Sequence, residues 1–149
     1  MDPAPREVED MESILDRIAR ELASARPSTR CCRRAYEPGS TIEGLEELEE
    51  LLRECRVVFL NLYTPTCPYC HLFRPVFSEV GKRFRGAAAF VSIDVARYPE
   101  AAWSLGITST PATVIFVGGR PVNAVIGYIP RQSFEELVLE VLRRAGCAS

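Results

Sequence analysis

The feature that most constrains this 149-residue sequence is a pair of cysteines, Cys67 and Cys70, at the junction of two patterns. Before them, residues 57–63 form an almost continuous apolar run, as expected of a central strand covered on both faces. After them, apolar residues recur at helical spacing up to Val80. The sequence therefore predicts a strand, a short turn and a helix whose first turn carries both sulfurs.

Thiols in this position have a chemical use. Unpaired N–H groups and the dipole at a helix N-terminus stabilise a thiolate, whereas a free thiol has a pKa of about 8.5. Cys70 lies one helical turn after Cys67 on the same side, so one sulfur can attack a disulfide and the other can resolve the mixed disulfide. Pro68 suits the first helical position, where its missing N–H costs nothing. The spacing predicts a thiol-disulfide exchange centre.

From residue 40 onwards, helix and strand patterns alternate. Ser40 or Thr41 is expected to cap a first helix that has Glu43 in its first turn and continues past Leu52. The order of elements predicts an α/β fold in which helices flank a mixed central sheet, within a domain at 40–149. The expected strands are 57–63, 88–95, 112–117 and 121–126, and the later helices follow Cys70 or lie at 98–105 and 131–144.

Residues 1–39 are predicted to form an N-terminal extension, with a helix followed by a linker. The helix would carry an apolar stripe that docks on its own domain, with a dimer or partner contact as the alternative, so we expect a monomer or a weak dimer. The stripe consists of Val8, Met11, Leu15, Ile18 and Leu22.

Around the cysteine pair and downstream of it, the sequence resembles the thioredoxin family. Pro75 follows Cys70 by five residues, and residues 104–111 (SLGITSTP) end in a proline 44 residues after Cys67. The resemblance covers about residues 40–145. It implies a thioredoxin fold, with Cys67 as the exposed nucleophile and Cys70 as the resolving thiol. It also implies a cis peptide bond between Thr110 and Pro111.

The same resemblance implies a substrate-binding surface and a set of partners. The partners would be proteins that carry disulfides or thiols, together with a thioredoxin-reductase-like electron donor. No metal and no cofactor beyond the redox-active Cys67–Cys70 disulfide is expected. The substrate-binding residues would be Pro68, Tyr69, Thr110, Pro111 and Gly127.

Three positions depart from the thioredoxin pattern. Pro68-Tyr69 is the glutaredoxin type of dipeptide, and Thr66 stands where thioredoxins usually have Trp. Asn61 replaces the buried acid of the family's strand, and an amide cannot take a proton from Cys70 at neutral pH. By analogy, the dipeptide predicts a couple more oxidising than the thioredoxin value of about −270 mV.

Composition excludes some classes of partner and suggests a location. The net charge is −2, so bulk electrostatics favours no nucleic acid. The apolar runs are strand-sized, far below the roughly 20 residues of a membrane helix. The N-terminus is polar and mixed in charge, so we expect a cytoplasmic protein without membrane contact. Lys82 is the only lysine and Asn and Gln are scarce, which is compatible with a hot environment.

Two alternatives remain open. A glutathione-dependent glutaredoxin fits Pro68-Tyr69, although Gly127 lacks the following Gly-x-x-Asp of a glutathione site. An interaction module of the same fold could use Cys31 and Cys32 as metal ligands. At the Cys67–Cys70 pair itself no metal is expected, because His71 is the only histidine and no second C-x-x-C follows. Cys55 is expected to be a buried thiol and Cys147 part of a mobile tail, and either could pair with Cys31 or Cys32 under oxidising conditions.

Overall fold

The computed structural model describes residues 31–148 together with Ile14 and Leu15. Ile14 and Leu15 are helical and exposed. Of the predicted N-terminal stripe only Leu15 is described, and its other four members lie outside the described residues. No helix in the described part of the chain is long and apolar enough to cross a bilayer.

The centre of the domain is a five-stranded mixed sheet, which confirms the predicted fold class. Its spatial order is β1-β3-β2-β4-β5, with β1, β3 and β2 parallel and with β4 and β5 antiparallel to their neighbours. The central strand β2 is buried along almost its whole length, as its apolar run predicts. The strands are β1 (Ser40–Thr41), β2 (Val57–Tyr63), β3 (Ala89–Asp94), β4 (Ala112–Val117) and β5 (Arg120–Ile126).

Four helices of the domain cover the two faces of this sheet. Side chains alternate along β2, so Val57 and Phe59 face α2 and α4, whereas Val58 and Leu60 face α1 and α3. Each face therefore has its own apolar core. The helices are α1 (Leu45–Glu54), α2 (Pro68–Arg83), α3 (Pro99–Leu105) and α4 (Arg131–Arg144).

An aromatic cluster fixes α2 against the sheet and so positions the cysteine pair. The ring of Phe134 on α4 lies 5.4 Å from that of Phe73 and 5.7 Å from that of Phe77, centroid to centroid. On the sheet side, the rings of Phe59 and Phe90 stack at 4.8 Å. All five side chains are fully buried. Phe73 and Phe77 belong to α2, so this packing fixes the position of the helix and of its first turn beside the end of β2.

The start of the first helix differs from the sequence-based expectation. Ser40 and Thr41 do not cap it but form β1, paired with Val91 and Ser92. The helix begins at Leu45 after Gly44, whose φ of 113° lies in the region that favours glycine. The hydrogen bonds that this segment makes along the edge of β3 therefore outweigh its local preference for capping a helix.

The remaining four cysteines form two disulfides, Cys31–Cys147 and Cys32–Cys55. Cys55 is buried as expected, but it is not a free thiol, and the expectation that Cys147 lies in a mobile tail is wrong. Both cysteines pair with the vicinal cysteines, which was the alternative left open. Cys147 is 1% exposed, and its N–H donates to the Leu142 oxygen at 2.7 Å, which folds the chain end back onto α4. The predicted boundary after residue 39 stays a prediction, although both vicinal cysteines are covalently linked to the domain.

Gly81 allows α2 to pack closely, and Gly81→Ala should destabilise the fold. A Cβ there would lie 2.9 Å from both Phe90 Cγ and Pro38 Cβ. The overpacking cost of about 1–3 kcal/mol exceeds the gain in helix propensity of about 1 kcal/mol. We expect the free energy of unfolding in urea to fall by about 1 kcal/mol, the centre of the difference between these two figures. The exposed neighbour Lys82→Ala is the control and should change it by less than about 0.5 kcal/mol. An alanine variant as stable as the parent would contradict this packing.

Candidate active site

The turn after β2 places Cys67 at the N-terminus of α2, as the sequence predicts. Cys67 is the N-cap residue and Pro68 is the first helical residue. The N–H of Cys70 donates to Cys67 Sγ at 3.2 Å, so the sulfur itself caps the helix. The Cys67 N–H donates to the Thr64 oxygen at 3.3 Å, which closes the turn. The first sulfur therefore lies where the helix terminus stabilises negative charge.

The two thiols have different environments. Cys67 is half-buried, whereas Cys70 is only 4% exposed. Burial alone would raise the pKa of Cys67. Hydrogen bonds from the side chains of Cys70 and Thr110 and from the N–H groups of Cys70 and Tyr69 outweigh that burial, and the pKa is lowered. Burial raises the pKa of Cys70, and its hydrogen bond to Cys67 raises it further. The geometry therefore pairs an ionisable outer sulfur with a protonated inner one.

A second segment faces the outer sulfur. The Thr110-Pro111 peptide bond is cis, as the resemblance implies. The thiol of Cys67 donates to the Thr110 backbone oxygen at 3.6 Å. Behind this segment, the N–H of Gly127 donates to the Pro111 oxygen at 2.7 Å, and Gly127 has a φ of 100°. The Thr110-Pro111 segment thus contacts Cys67 directly, and Gly127 supports that segment from behind. Pro68, Tyr69 and Cys70, the other predicted site residues, lie on the first turn of α2.

Exposed apolar side chains lie on the two segments beside Cys67, the first turns of α2 and the residues that follow Gly127. Tyr69 is 62% exposed and lies on the first turn of α2. Leu72 is 59% exposed although it falls in the apolar stripe of α2, and Tyr128 is 43% exposed beside Gly127. Leu72 and Tyr128 are not among the site residues that the sequence predicts. The only indication of them in the sequence is that each lies within two residues of a predicted site residue.

A cavity of about 220 Å³ lies on the inner side of Cys70. Its floor contains Asn61, Ser92 and Cys70, all buried, and its rim includes the exposed His71 and Arg74. The Asn61 Nδ2 donates to Ser92 Oγ at 3.4 Å, but the Asn61 Oδ1 has no hydrogen-bond partner. No sequence pattern predicts this cavity, because its lining comes from segments that are distant along the chain.

The cysteines of the disulfides do not join this site. Cys31 accepts from the Arg56 N–H, just before β2 begins, whereas Cys67 follows the other end of that strand. Seven strand residues at about 3.3 Å each separate the two ends. As disulfides, Cys31 and Cys32 provide no thiolate ligands. Within residues 31–148, no group of three or more His, Cys, Asp or Glu side chains is arranged to hold a metal ion.

The lowered pKa of Cys67 predicts a specific pH dependence of its alkylation. Only the thiolate reacts, so the rate of reaction with iodoacetamide falls as the pH drops through the pKa. We expect the midpoint of this profile below that of the same thiol in the unfolded chain. Mass spectrometry of the modified Cys67 peptide gives the rate at each pH. The control is the urea-unfolded chain with its disulfides intact, and an equal midpoint in folded and unfolded protein would contradict the lowered pKa.

The site combines a thiol that caps a helix, a second thiol that is buried, and a cis-proline segment that faces the first thiol. This combination defines a thioredoxin-type dithiol site. A family model described as Thioredoxin matches residues 43–140. The chain therefore belongs to the thioredoxin family of thiol-disulfide oxidoreductases.

The similar proteins include bacterial and chloroplastic thioredoxins. A thioredoxin from Alicyclobacillus acidocaldarius subsp. acidocaldarius is 27% identical over 95 residues, which cover 64% of this chain and 90% of that protein. A chloroplastic thioredoxin of Arabidopsis thaliana is 31% identical over 81 residues, which cover 54% of this chain but only 42% of the plant protein. A solved mutant thioredoxin from Halobacterium salinarum NRC-1 has a TM-score of 0.67 and 23% identity, and the match covers 72% of this chain and 93% of that one.

Proposed function

We propose that this protein reduces or exchanges disulfides of protein substrates through Cys67 and Cys70. The observation that carries the proposal is the asymmetry of the pair. The outer sulfur has a lowered pKa and faces the Thr110 backbone, while the inner sulfur is buried behind it. Attack and resolution are thereby divided between two residues.

The reaction would proceed in two displacements. The Cys67 thiolate attacks a substrate disulfide, forms a mixed disulfide and releases one substrate thiolate. Cys70 then loses its proton and attacks Cys67 Sγ, which releases the second substrate sulfur and leaves the Cys67–Cys70 disulfide. The substrate gains two electrons, and a thioredoxin-reductase-like dithiol donor would return two electrons to the protein.

The surroundings of Cys67 favour a protein substrate. Free backbone groups near a cis-proline can pair with an extended chain, and the exposed Tyr69, Leu72 and Tyr128 offer apolar contacts to its side chains. In the same region, residues 64–70, 106–111 and 126–130 contain no charged side chain. Glutathione has charged groups at both ends, and these three segments offer no oppositely charged side chain to either of them.

A pair of assays separates the protein-disulfide function from the glutaredoxin alternative that Pro68-Tyr69 suggests. The first follows insulin reduction by dithiothreitol, and the second follows reduction of a small disulfide coupled to glutathione. We expect strong acceleration in the first assay and little in the second. Reactions without the protein give the baseline. Acceleration only in the glutathione-coupled assay would replace this proposal with the alternative.

A further inference from the structure

The cavity behind Cys70 has a polar floor, in which one buried side-chain atom has no hydrogen-bond partner in the protein. Asn61 is 3% exposed, and whichever way its amide is turned, Ser92 pairs with only one end of it. A buried polar atom without a partner costs free energy, which a bound molecule able to hydrogen-bond would recover. The volume of about 220 Å³ admits several waters or a small organic base.

The cavity lining contains no carboxylate. Cys67 is hydrogen-bonded to Cys70 at the start of the helix. The other titratable or charged groups that line the cavity are His71 and Arg74 on α2 and Tyr63 on β2, whereas β1 and β3 contribute only hydroxyls. The Tyr63 hydroxyl lies 3.3 Å from Thr41 Oγ1, and the His71 Nε2–H donates to the Pro65 oxygen at 2.8 Å. No fixed carboxylate therefore stands beside the thiol that must lose a proton.

We propose that this cavity admits a small general base from solvent, which takes the proton of Cys70. The inference rests on the proposed function and concerns its second displacement. The exposed rim at Thr41, His71 and Arg74 provides the route from solvent, and the Asn61 amide and Ser92 hydroxyl hold the molecule at the floor. Asn61 is thus a positioning residue.

The step balances without any further reactant. The base takes the proton from Cys70 Sγ, and the sulfur electron pair forms the bond to Cys67 Sγ. The bond between Cys67 and the substrate sulfur breaks, and that sulfur leaves with the electron pair and takes a proton from solvent. The base then returns its proton to solvent, so the cavity molecule is not consumed.

Stopped-flow reaction of the reduced protein with dithionitrobenzoate separates the two displacements. Attack by Cys67 releases one nitrothiobenzoate, and resolution by Cys70 releases a second. At fixed pH and ionic strength, we expect imidazole to accelerate the second phase several-fold in proportion to its concentration and to leave the first phase unchanged. A bulky sulfonate buffer of similar pKa should accelerate neither phase.

Two variants of Asn61 test the cavity itself. Asn61→Asp introduces a fixed base, so its second phase should be faster in dilute buffer and should lose the dependence on imidazole. Asn61→Leu removes the amide and fills the floor, so the imidazole dependence should shrink while the first phase stays the same. His71→Gln should keep the imidazole dependence.

The outcomes distinguish this inference from the function on which it rests. A second phase that does not respond to imidazole, or that responds equally to the bulky buffer, overturns the inference and leaves the proposed function intact. Loss of the second phase in His71→Gln overturns it as well, because His71 would then be the base. Absence of both phases in the parent protein would overturn the proposed function.

Discussion

Replacing Cys67 by serine should reduce disulfide exchange to the rate seen without protein, whereas replacing Cys70 by serine should stop the reaction after its first step. Cys67 is the half-buried sulfur with the lowered pKa, and a serine hydroxyl at neutral pH is a far weaker nucleophile than a thiolate. Cys70 is buried and keeps its proton, so it should not replace Cys67 as the attacking group.

The two serine variants give different covalent outcomes. In Cys70→Ser, the mixed disulfide with a substrate should accumulate and be detected on Cys67 as an increase in intact mass. A serine hydroxyl can keep the hydrogen bond to Cys67, so the first displacement should remain within a few-fold of the parent rate. A Cys67→Ser variant that still reduces insulin, or a Cys70→Ser variant that traps substrate elsewhere, would contradict these roles.

The second large effect concerns the disulfide that joins the two ends of the described chain. Cys31 and Cys147 are 116 positions apart, and closing a loop of that length restricts the unfolded chain by about 4–5 kcal/mol in the chain-entropy estimate. Because whole domains are stable by about 5–15 kcal/mol, Cys31→Ser with Cys147→Ser should lose a large share of the stability. Urea unfolding without reductant measures it.

The other disulfide provides a matched control. Cys32 and Cys55 are 23 positions apart, for which the same estimate gives about 3 kcal/mol. The Cys32→Ser with Cys55→Ser pair should therefore lose less stability than the long-loop pair. Both pairs lie at the end of β2 opposite Cys67, so the folded variants should keep the exchange rate. Equal stability of both variants and the parent would contradict a stabilising role for these bonds.

These disulfides also constrain where the protein works. Disulfides persist in oxidising compartments and in the cytosol of hyperthermophiles, and they are rare in other cytosols. The expected cytoplasmic location would therefore suit the disulfides best in an organism adapted to heat. The scarcity of Asn and Gln is compatible with such an organism. The location itself stays a prediction.

The sequence predicts those parts of the fold that depend on residues close together along the chain. The apolar run of β2, the start of α2 at Pro68 and the chain order of the main elements all follow from local patterns. The first helix was predicted too early because Ser40 and Thr41 are good caps, and only their pairing with β3 makes them a strand. Local pattern cannot show which distant segment lies alongside.

The site was predictable to the same extent. Cys67 and Cys70 carry a spacing that has a chemical meaning, and the resemblance added Thr110, Pro111 and Gly127. The disulfide partners of Cys31 and Cys32 and the cavity above Asn61 depend on how distant segments pack, so no local pattern indicates them. Leu72 shows the opposite case, because it falls in the apolar stripe of α2 and yet is 59% exposed.

Redox titration of the cysteines in glutathione buffers tests most directly whether Cys67 and Cys70 form a working dithiol. After each equilibration, differential alkylation and mass spectrometry identify which cysteines are oxidised. We predict a reversible two-electron transition that forms the Cys67–Cys70 disulfide, at a potential above about −270 mV, while the other two disulfides stay oxidised. A potential at or below that value would contradict the effect assigned to Pro68-Tyr69. If Cys67 and Cys70 remained thiols throughout the titration, the central claim would be wrong.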